Sequence, residues 1–298
     1  MDHFLFVVNP ISGDRDKSAL VAQIARLNHK YKTEFTLLYT KGKKDERIIG
    51  SKIAALCPSR IVACGGDGTI NLVAKLLLGS KVPLGIVPVG SANGLSTALD
   101  LPEDSEAALE LCFNGESFPI DALKINASNY IFHMGDFGFN AKMIKTFEEN
   151  STRGMMAYAG AFFKSLKEKE TVTSQYTVKA NNSTSVYEAD MVVIANAARY
   201  GTGAVVSPNS RLDDGTFEIV VFKPIPLVAL ANLTLSAFLG SIEDSPYVEI
   251  IKTDKAEIKV DRPQYFQVDG QSMGKLKKIR VAIQTKTLRV VLPWRMKR

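Results

Sequence analysis

Cysteine, histidine and tryptophan are scarce in this 298-residue chain, at three, three and one. Cys57, Cys64 and Cys112 make no Cys-x-x-Cys or Cys/His ligand spacing, and their odd number argues against a disulfide framework. A reducing cytoplasm is the simplest compartment. The start, Met1-Asp2-His3, runs straight into a strand pattern without the basic residues and apolar stretch of a signal peptide. The uncharged run 224–242 is interrupted by Pro224, Pro226, Asn232, Thr234 and Ser236, so it reads as a core-packed helix, with a membrane-surface element as the alternative. No transmembrane segment is expected. No basic run interleaved with aromatics marks a nucleic-acid surface, and no internal repeat or low-complexity linker divides the chain.

What is present suits a globular enzyme. Hydrophobic residues make up 46% and charged residues 23%, enough for a sizeable core, and the net charge of +6 favours anionic partners. The length favours two domains. In the first third, strand patterns at Phe4–Val8, Glu34–Tyr39, Arg60–Cys64 and Pro83–Val87 alternate with helical spacing at Lys17–His29, Glu46–Leu56, Asn71–Leu78 and Ser105–Phe113. That rhythm predicts a doubly wound, Rossmann-like parallel sheet with helices on both faces, and ligands gather at the carboxyl ends of such strands.

Three glycine-rich turns fall at those ends. Cys64-Gly65-Gly66-Asp67-Gly68-Thr69-Ile70-Asn71 joins a buried strand to a helix, where glycines let the backbone approach a ligand and helix-start N–H groups suit a phosphate. Asp67 would sit beside bound anions, an unfavourable place for a carboxylate unless it handles a metal or a proton. Asn9-Pro10-Ile11-Ser12-Gly13 offers a hydroxyl and backbone donors. Gly90-Ser91-Ala92-Asn93-Gly94 offers a hydroxyl and an amide. Each is also an acceptable plain connection or helix cap, and that reading stays open for each turn taken alone. Three at one rim make a cleft the better reading.

From about residue 118 the pattern becomes short strands, at Phe118–Ile125, Tyr130–Phe137, Val172–Val178, Asp190–Asn196, Thr216–Phe222, Tyr247–Ile251, Glu257–Val260, Tyr265–Val268, Ile279–Ile283 and Leu288–Leu292. Helices are expected at Arg153–Lys167 and within Leu227–Leu239. An antiparallel β-sandwich follows. The expected division is 1–120, joined by 286–298, against 121–285. Leu212-Asp213-Asp214-Gly215 and Val268-Asp269-Gly270-Gln271 are hairpin-type turns, and their carboxylates are also the hard ligands that Mg²⁺ takes. His133, on an apolar strand, reads as a core or cleft histidine. Arg153, Lys164, Lys167 and Lys169 read as a solvated helix face, and the basic end Trp294–Arg298 as a solvated tail.

Together, Asn-Pro-x-Ser-Gly at 9–13, Gly-Gly-Asp-Gly-Thr-x-Asn at 65–71, Pro-Leu-Gly-Ile-Val-Pro-x-Gly-Ser-x-Asn at 83–93, Leu-Asp-Asp-Gly at 212–215 and Val-Asp-Gly at 268–270 closely resemble the diacylglycerol kinase catalytic-domain family, which includes bacterial lipid kinases and sphingosine and ceramide kinases. The motifs run in the family's order over nearly the whole chain. Gly-Gly-Asp-Gly-Thr alone is shared with NAD kinases. The resemblance implies an ATP-binding α/β domain, a lipid-binding β-sandwich, and transfer of the γ-phosphoryl group of ATP to a lipid hydroxyl. It implies nucleotide contacts at Asn9, Pro10, Ser12, Gly13, Thr40, Gly65, Gly66, Asp67, Gly68, Thr69, Asn71, Gly90, Ser91 and Asn93. A structural Mg²⁺ would lie at Asp214 with the carbonyls of Arg211 and Thr216, Asp121 being near. The implied setting is cytoplasmic, at a membrane surface, with a lipid partner and no nucleic acid. A homodimer stays open.

Two departures stand out. Family members commonly carry Asp-Gly-Glu where this chain has Asp269-Gly270-Gln271, and that glutamate is often assigned as proton acceptor. A glutamine amide takes up no proton near neutral pH. Asp67 or Asp269 would then be the base, or the demand for one is slight because phosphoryl transfer is loose and mostly electrostatic. Gly94 stands where many bacterial members have aspartate, which weakens inference about the lipid head group. An NAD kinase and a catalytically idle nucleotide- or lipid-binding regulator are the rival readings.

Overall fold

The computed structural model describes residues 1–13, 17–90, 93–138, 173–200, 205–226, 229, 232–233, 236 and 242–293. The expected helices at Arg153–Lys167 and, for the most part, Leu227–Leu239 lie outside these residues, as does the 294–298 tail. The chain forms two compact units, Met1–Ile120 with Lys286–Arg298, and Asp121–Thr285.

In the first unit, β1 (His3–Val8), β2 (Glu34–Tyr39), β3 (Arg60–Gly65) and β4 (Leu84–Pro88) pair in parallel in the order β2-β1-β3-β4. β1, β3 and β4 are nearly continuous apolar runs buried on both faces, as a strand covered by helices on each side requires. α1 (Lys17–Tyr31) buries Leu20, Ile24 and Leu27, and α5 (Ser105–Asn114) buries Ala108, Leu109, Cys112 and Phe113, all in one cluster with Phe4, Phe6 and Val62. α2 (Asp45–Leu56) and α3 (Asp67–Leu76) complete the layers, with the short α4 (Gly94–Ala98) after β4. A Cβ on Gly85 would lie 2.8 Å from Cys112 Sγ, so a glycine there lets α5 close on β4. Burial pushes the Cys112 thiol up to about 12 and the Cys64 thiol well up, which leaves both as inert packing groups.

In the second unit, β7 (Met134–Phe137), β10 (Met191–Ala195), β11 (Phe217–Phe222) and β12 (Val248–Thr253) pair antiparallel. β13 (Lys255–Val268) joins β7 and also pairs β8 (Ser174–Ala180) and, within this unit, residues 271–282 of β14 (Gln271–Leu292). Alternation divides β11 between two cores. Phe217, Ile219 and Val221 face one cluster, while Val220 and Phe222 face the other. The mixed α/β fold, a parallel-sheet N-terminal core followed by an antiparallel sandwich, is the one the sequence pattern predicts.

Several elements differ from expectation. α3 begins at Asp67, four residues before the expected start, because Gly66 already caps it and the Thr69 and Ile70 N–H groups both donate to the Gly66 carbonyl. The expected strand Tyr130–Phe137 is split into β6 (Asn129–Ile131) and β7, since the N–H groups of Phe132 and His133 turn to the Asp269 carboxylate. Glu257–Val260 and Tyr265–Val268 are one strand with shifts of register on either side of Gln264, next to Pro263, which has no N–H for the ladder. Ile279–Ile283 and Leu288–Leu292 likewise belong to one strand, β14. β9 (Ser183–Ala189), paired with β8 through Asn181-Asn182, both left-handed at φ 51 and 60, was not expected.

Candidate functional site

Each of the first three parallel strands of the first unit ends in a loop, and the three loops line one pocket of about 540 Å³. Its walls are Asn9, Pro10, Ile11 and Ser12 after β1, Thr40, Lys41, Gly42 and Asp45 after β2, and Gly66, Gly68, Thr69 and Leu72 after β3. The backbone holds these loops in place. Asn9 N–H donates to the Cys64 carbonyl at 2.9 Å and Thr40 N–H to the Val8 carbonyl at 2.9 Å. Asn9 Oδ1 accepts from Ile11 N–H, Ser12 Oγ donates to the Asn9 carbonyl, and Lys17 Nζ donates to the Ser12 carbonyl at 2.6 Å. The first loop is thus folded by its own side chains, with an ammonium behind it.

The glycines are used for close approach. A Cβ on Gly13, which is left-handed at φ 53, would lie 2.4 Å from the Val89 carbonyl oxygen. A Cβ on Gly90 would lie 2.4 Å from Gly66 Cα, so the turn after β4 presses backbone to backbone under the turn after β3. Asn93 fixes that contact by accepting from Gly90 N–H at 3.1 Å and donating to the Gly90 carbonyl at 2.8 Å. Gly65 is bare because Thr69 Oγ1 lies where its Cβ would go.

Of the residues singled out from the sequence, Asn9, Pro10, Ser12, Thr40, Gly66, Gly68 and Thr69 line the pocket. Gly13, Gly65, Gly90 and Asn93 brace it from behind, and Asn71 lies further along α3. Ser91 lies outside the described residues. Asp67 is the first residue of α3, between two pocket residues, and among the described residues its carboxylate accepts no hydrogen bond and forms no ion pair. Sequence reading missed Lys41, Gly42 and Asp45. Asp45, only 7% exposed, accepts from the N–H groups of Lys41 and Gly42 at 2.8–3.0 Å and so closes the second loop. Its signal was an acid at a helix start three residues past a glycine.

A pocket walled by glycine turns, a helix start and the Lys41 loop, with the Lys17 ammonium bonded to the first loop, fits a polyanion such as a nucleoside triphosphate.

In the second unit, Asp269 and Gly270 form a tight hairpin turn between β13 and β14, at φ 47 and 80. The Asp269 carboxylate is 6% exposed and accepts from the N–H groups of Phe132, His133 and Met134, each at 2.9 Å. Three such bonds commit it to folding the 132–134 corner, a poor situation for a proton acceptor. Gln271 is exposed. His133 is buried with Nε2 at the Arg199 carbonyl, as a core histidine would be.

The acidic turn before β11 is also occupied by the protein itself. Asp214 Oδ1 accepts from Thr216 N–H and Thr216 Oγ1, and Oδ2 lies 2.8 Å from Lys252 Nζ. Burial alone would raise the Asp214 carboxyl, but the Lys252 ammonium and Thr216 draw it below its usual range. Arg211 turns its guanidinium to Asp213. Asp121, fully buried, accepts from Gly215 N–H. Glu218, bonded to the Ser210 hydroxyl, is raised by burial, against the pull of Ser210 and Lys252. Both Asp214 oxygens are engaged and an ammonium stands beside them, so this turn as folded does not fit a divalent ion, which needs those oxygens as ligands.

Comparison with known proteins agrees with the geometry. The model of the "Diacylglycerol kinase catalytic domain" matches residues 3–125, and that of the "YegS C-terminal NAD kinase beta sandwich-like domain" matches residues 135–292. A "Probable lipid kinase YegS-like" of Klebsiella pneumoniae (strain 342) is 28% identical over 236 residues, 78% of this chain and 77% of that one. A "Probable lipid kinase YegS" of Escherichia coli O1:K1 / APEC is 26% identical over 219 residues, 72% of each. A crystal structure of a diacylglycerol kinase from Bacillus anthracis str. Sterne superimposes with a TM-score of 0.77 at 20% identity, covering 98% of this chain and 97% of that one. A further structure from the same strain reaches 0.82 at 21%, covering 98% of both. Fold and sequence together define a phosphotransferase of the lipid-kinase class. The chain belongs to the diacylglycerol kinase catalytic-domain family, with the sandwich domain of the YegS type. Among the described residues, no helix is long and apolar enough to cross a membrane.

Proposed function

We propose that this chain binds ATP, with its Mg²⁺, in the pocket of the first unit and transfers the γ-phosphoryl group to the hydroxyl of diacylglycerol or a related lipid held by the second unit. The observation that carries this reading is the convergence of the 9–13, 40–45 and 66–72 segments on one pocket at the carboxyl ends of parallel strands. ATP supplies the phosphoryl group, and its metal neutralises charge on the transferring oxygens. The chain's own part is to cradle the phosphates with backbone N–H groups and the Ser12 and Thr69 hydroxyls. Asp67, beside that cradle and uncommitted, orients the metal-bound phosphates or takes the hydroxyl proton as the new P–O bond forms and the β–γ bridge breaks. Asp269 is left as a positioning residue. The proposed setting is the cytoplasmic face of a membrane, where a soluble enzyme meets its lipid peripherally.

One observation favours a second reading. Gln271, neutral and exposed at the hairpin where relatives of this class commonly carry glutamate, suits a nucleotide- or lipid-binding regulator without turnover. Labelled ATP incubated with a panel of lipid hydroxyls decides between the two. The kinase reading expects labelled lipid from the wild type and a loss of about 100-fold or more in Asp67→Asn. No lipid product from the wild type, with product from Gln271→Glu, overturns it in favour of the regulator.

A further inference from the structure

The turn at Asp214, Arg211 and Thr216 is where the family resemblance implies a structural Mg²⁺, and it is already neutralised from within. Lys252 lies opposite Glu218 in the register of β11 and β12, so the ladder fixes its backbone on the strand next to the acidic turn. From there its ammonium reaches Asp214 Oδ2 at 2.8 Å and lies 3.7 Å from Glu218 Oε1. Glu218 Oε1 at that distance has no hydrogen-bond donor among the described residues, while three other oxygens of the cluster have internal ones. Thr216 serves Asp214 Oδ1, Ser210 serves Glu218 Oε2, and Gly215 N–H serves Asp121 Oδ2. Three carboxylates, those of Asp121, Asp214 and Glu218, thus surround one turn, and the cation among them is a side chain. Among the described residues, no group of three or more acidic, histidine or cysteine side chains is placed to hold a metal ion.

We infer that the Lys252 ammonium serves at Asp214 in place of the divalent ion, so that the acidic turn of this chain is an internal ion pair whose closure does not depend on Mg²⁺. A dication arriving at Asp214 must displace a tethered ammonium that the strand register keeps at hand. The ammonium needs no octahedral six-oxygen shell, unlike Mg²⁺. Removing it frees Asp214 Oδ2 and leaves the nearby carboxylates underneutralised, which converts the turn into a site that takes a hard cation. The inference concerns only the second unit and is tested without nucleotide, so the kinase reading and this one fail separately.

The test is Mg²⁺ titration of the whole nucleotide-free chain by calorimetry, with thermal unfolding in chelator and in Mg²⁺ as the second readout. The wild type should give no saturable heat and the same Tm in both. Lys252→Met should bind Mg²⁺ at least about tenfold more tightly than the wild type and gain a Mg²⁺-dependent rise in Tm of a few degrees. Both effects should vanish in Lys252→Met/Asp214→Asn. Lys252→Gln, which keeps a polar end without the charge, should behave like Lys252→Met and guards against misfolding of either variant. A wild type that binds one Mg²⁺ and loses it in Asp214→Asn overturns the inference. So do folded Lys252 variants that gain no Mg²⁺ affinity.

Discussion

Gly90→Ala is the sharpest perturbation of the nucleotide pocket that leaves its walls chemically intact. The added Cβ would lie 2.4 Å from Gly66 Cα and 2.8 Å from Asn93 Oδ1, where ordinary contact begins near 3.4 Å. The first neighbour is backbone and has no rotamer to change, so the turn carrying Gly66, Gly68 and Thr69 must retreat by roughly 1 Å. Displacement on that scale spoils phosphate hydrogen bonds whose useful range is only a few tenths of an ångström. Adenine-nucleotide affinity should fall at least about tenfold, near 1.4 kcal/mol, and the unfolding free energy by about 1–3 kcal/mol. Two variants calibrate the effect. In Gly66→Ala the nearest atom lies at 3.2 Å, a misfit of a few tenths of an ångström, so the loss should be smaller. Gly50→Ala, inside α2 with only Leu76 Cδ2 at 3.6 Å, should stabilise the chain by about 0.5–1 kcal/mol and leave binding unchanged. Calorimetric titration with ATP and denaturant unfolding read the series. Wild-type affinity in Gly90→Ala, or an equal loss in Gly50→Ala, would refute the steric argument.

Asp45→Ala strips the acceptor from the Lys41 and Gly42 N–H groups. It should cost about 1–3 kcal/mol in urea unfolding and weaken nucleotide binding with it, whereas a pocket indifferent to the second loop would show only the stability loss. Asp269→Asn should lower stability by about 2–3 kcal/mol while the folded enzyme's kcat stays within about tenfold. A fall of 100-fold or more at constant fold would instead make Asp269 the base. Asp214→Asn should cost at most about 1 kcal/mol at pH 7, because the Lys252 partner is half exposed. Since the native Asp214 carboxyl is lowered, its contribution is present above the unfolded aspartate value of about 3.9 and is lost as pH falls through the native one. The difference between wild type and variant should therefore close on acidification, and a difference that widens below pH 4 would contradict the pair.

The parallel core was legible because β1, β3 and β4 are unbroken apolar runs and α1 and α5 repeat their apolar residues at helical spacing, both local signals. β9 was not, because its Ser-Thr-Ser start is largely exposed and the strand is defined by pairing with β8 across Asn181-Asn182 rather than by burial. The break at Phe132 and His133 was invisible for a similar reason, since its cause, Asp269, lies more than 130 residues away. In the pocket, the glycine turns announced themselves through composition. Asp45 did not, because an acid at a helix start is common and only the folded loop shows its carboxylate turned back on Lys41 and Gly42. Lys252 was the least legible of all: its role comes from strand register, which a single chain of letters does not print.

Amide hydrogen exchange of the whole chain with and without saturating ATP tests the central claim most directly. The account predicts slowed exchange in the segments 9–13, 40–45 and 66–72 together, in the wild type and in Asp67→Asn alike, because the backbone of three loops forms the phosphate cradle. Protection confined to other segments, or none at saturating ATP, would contradict it.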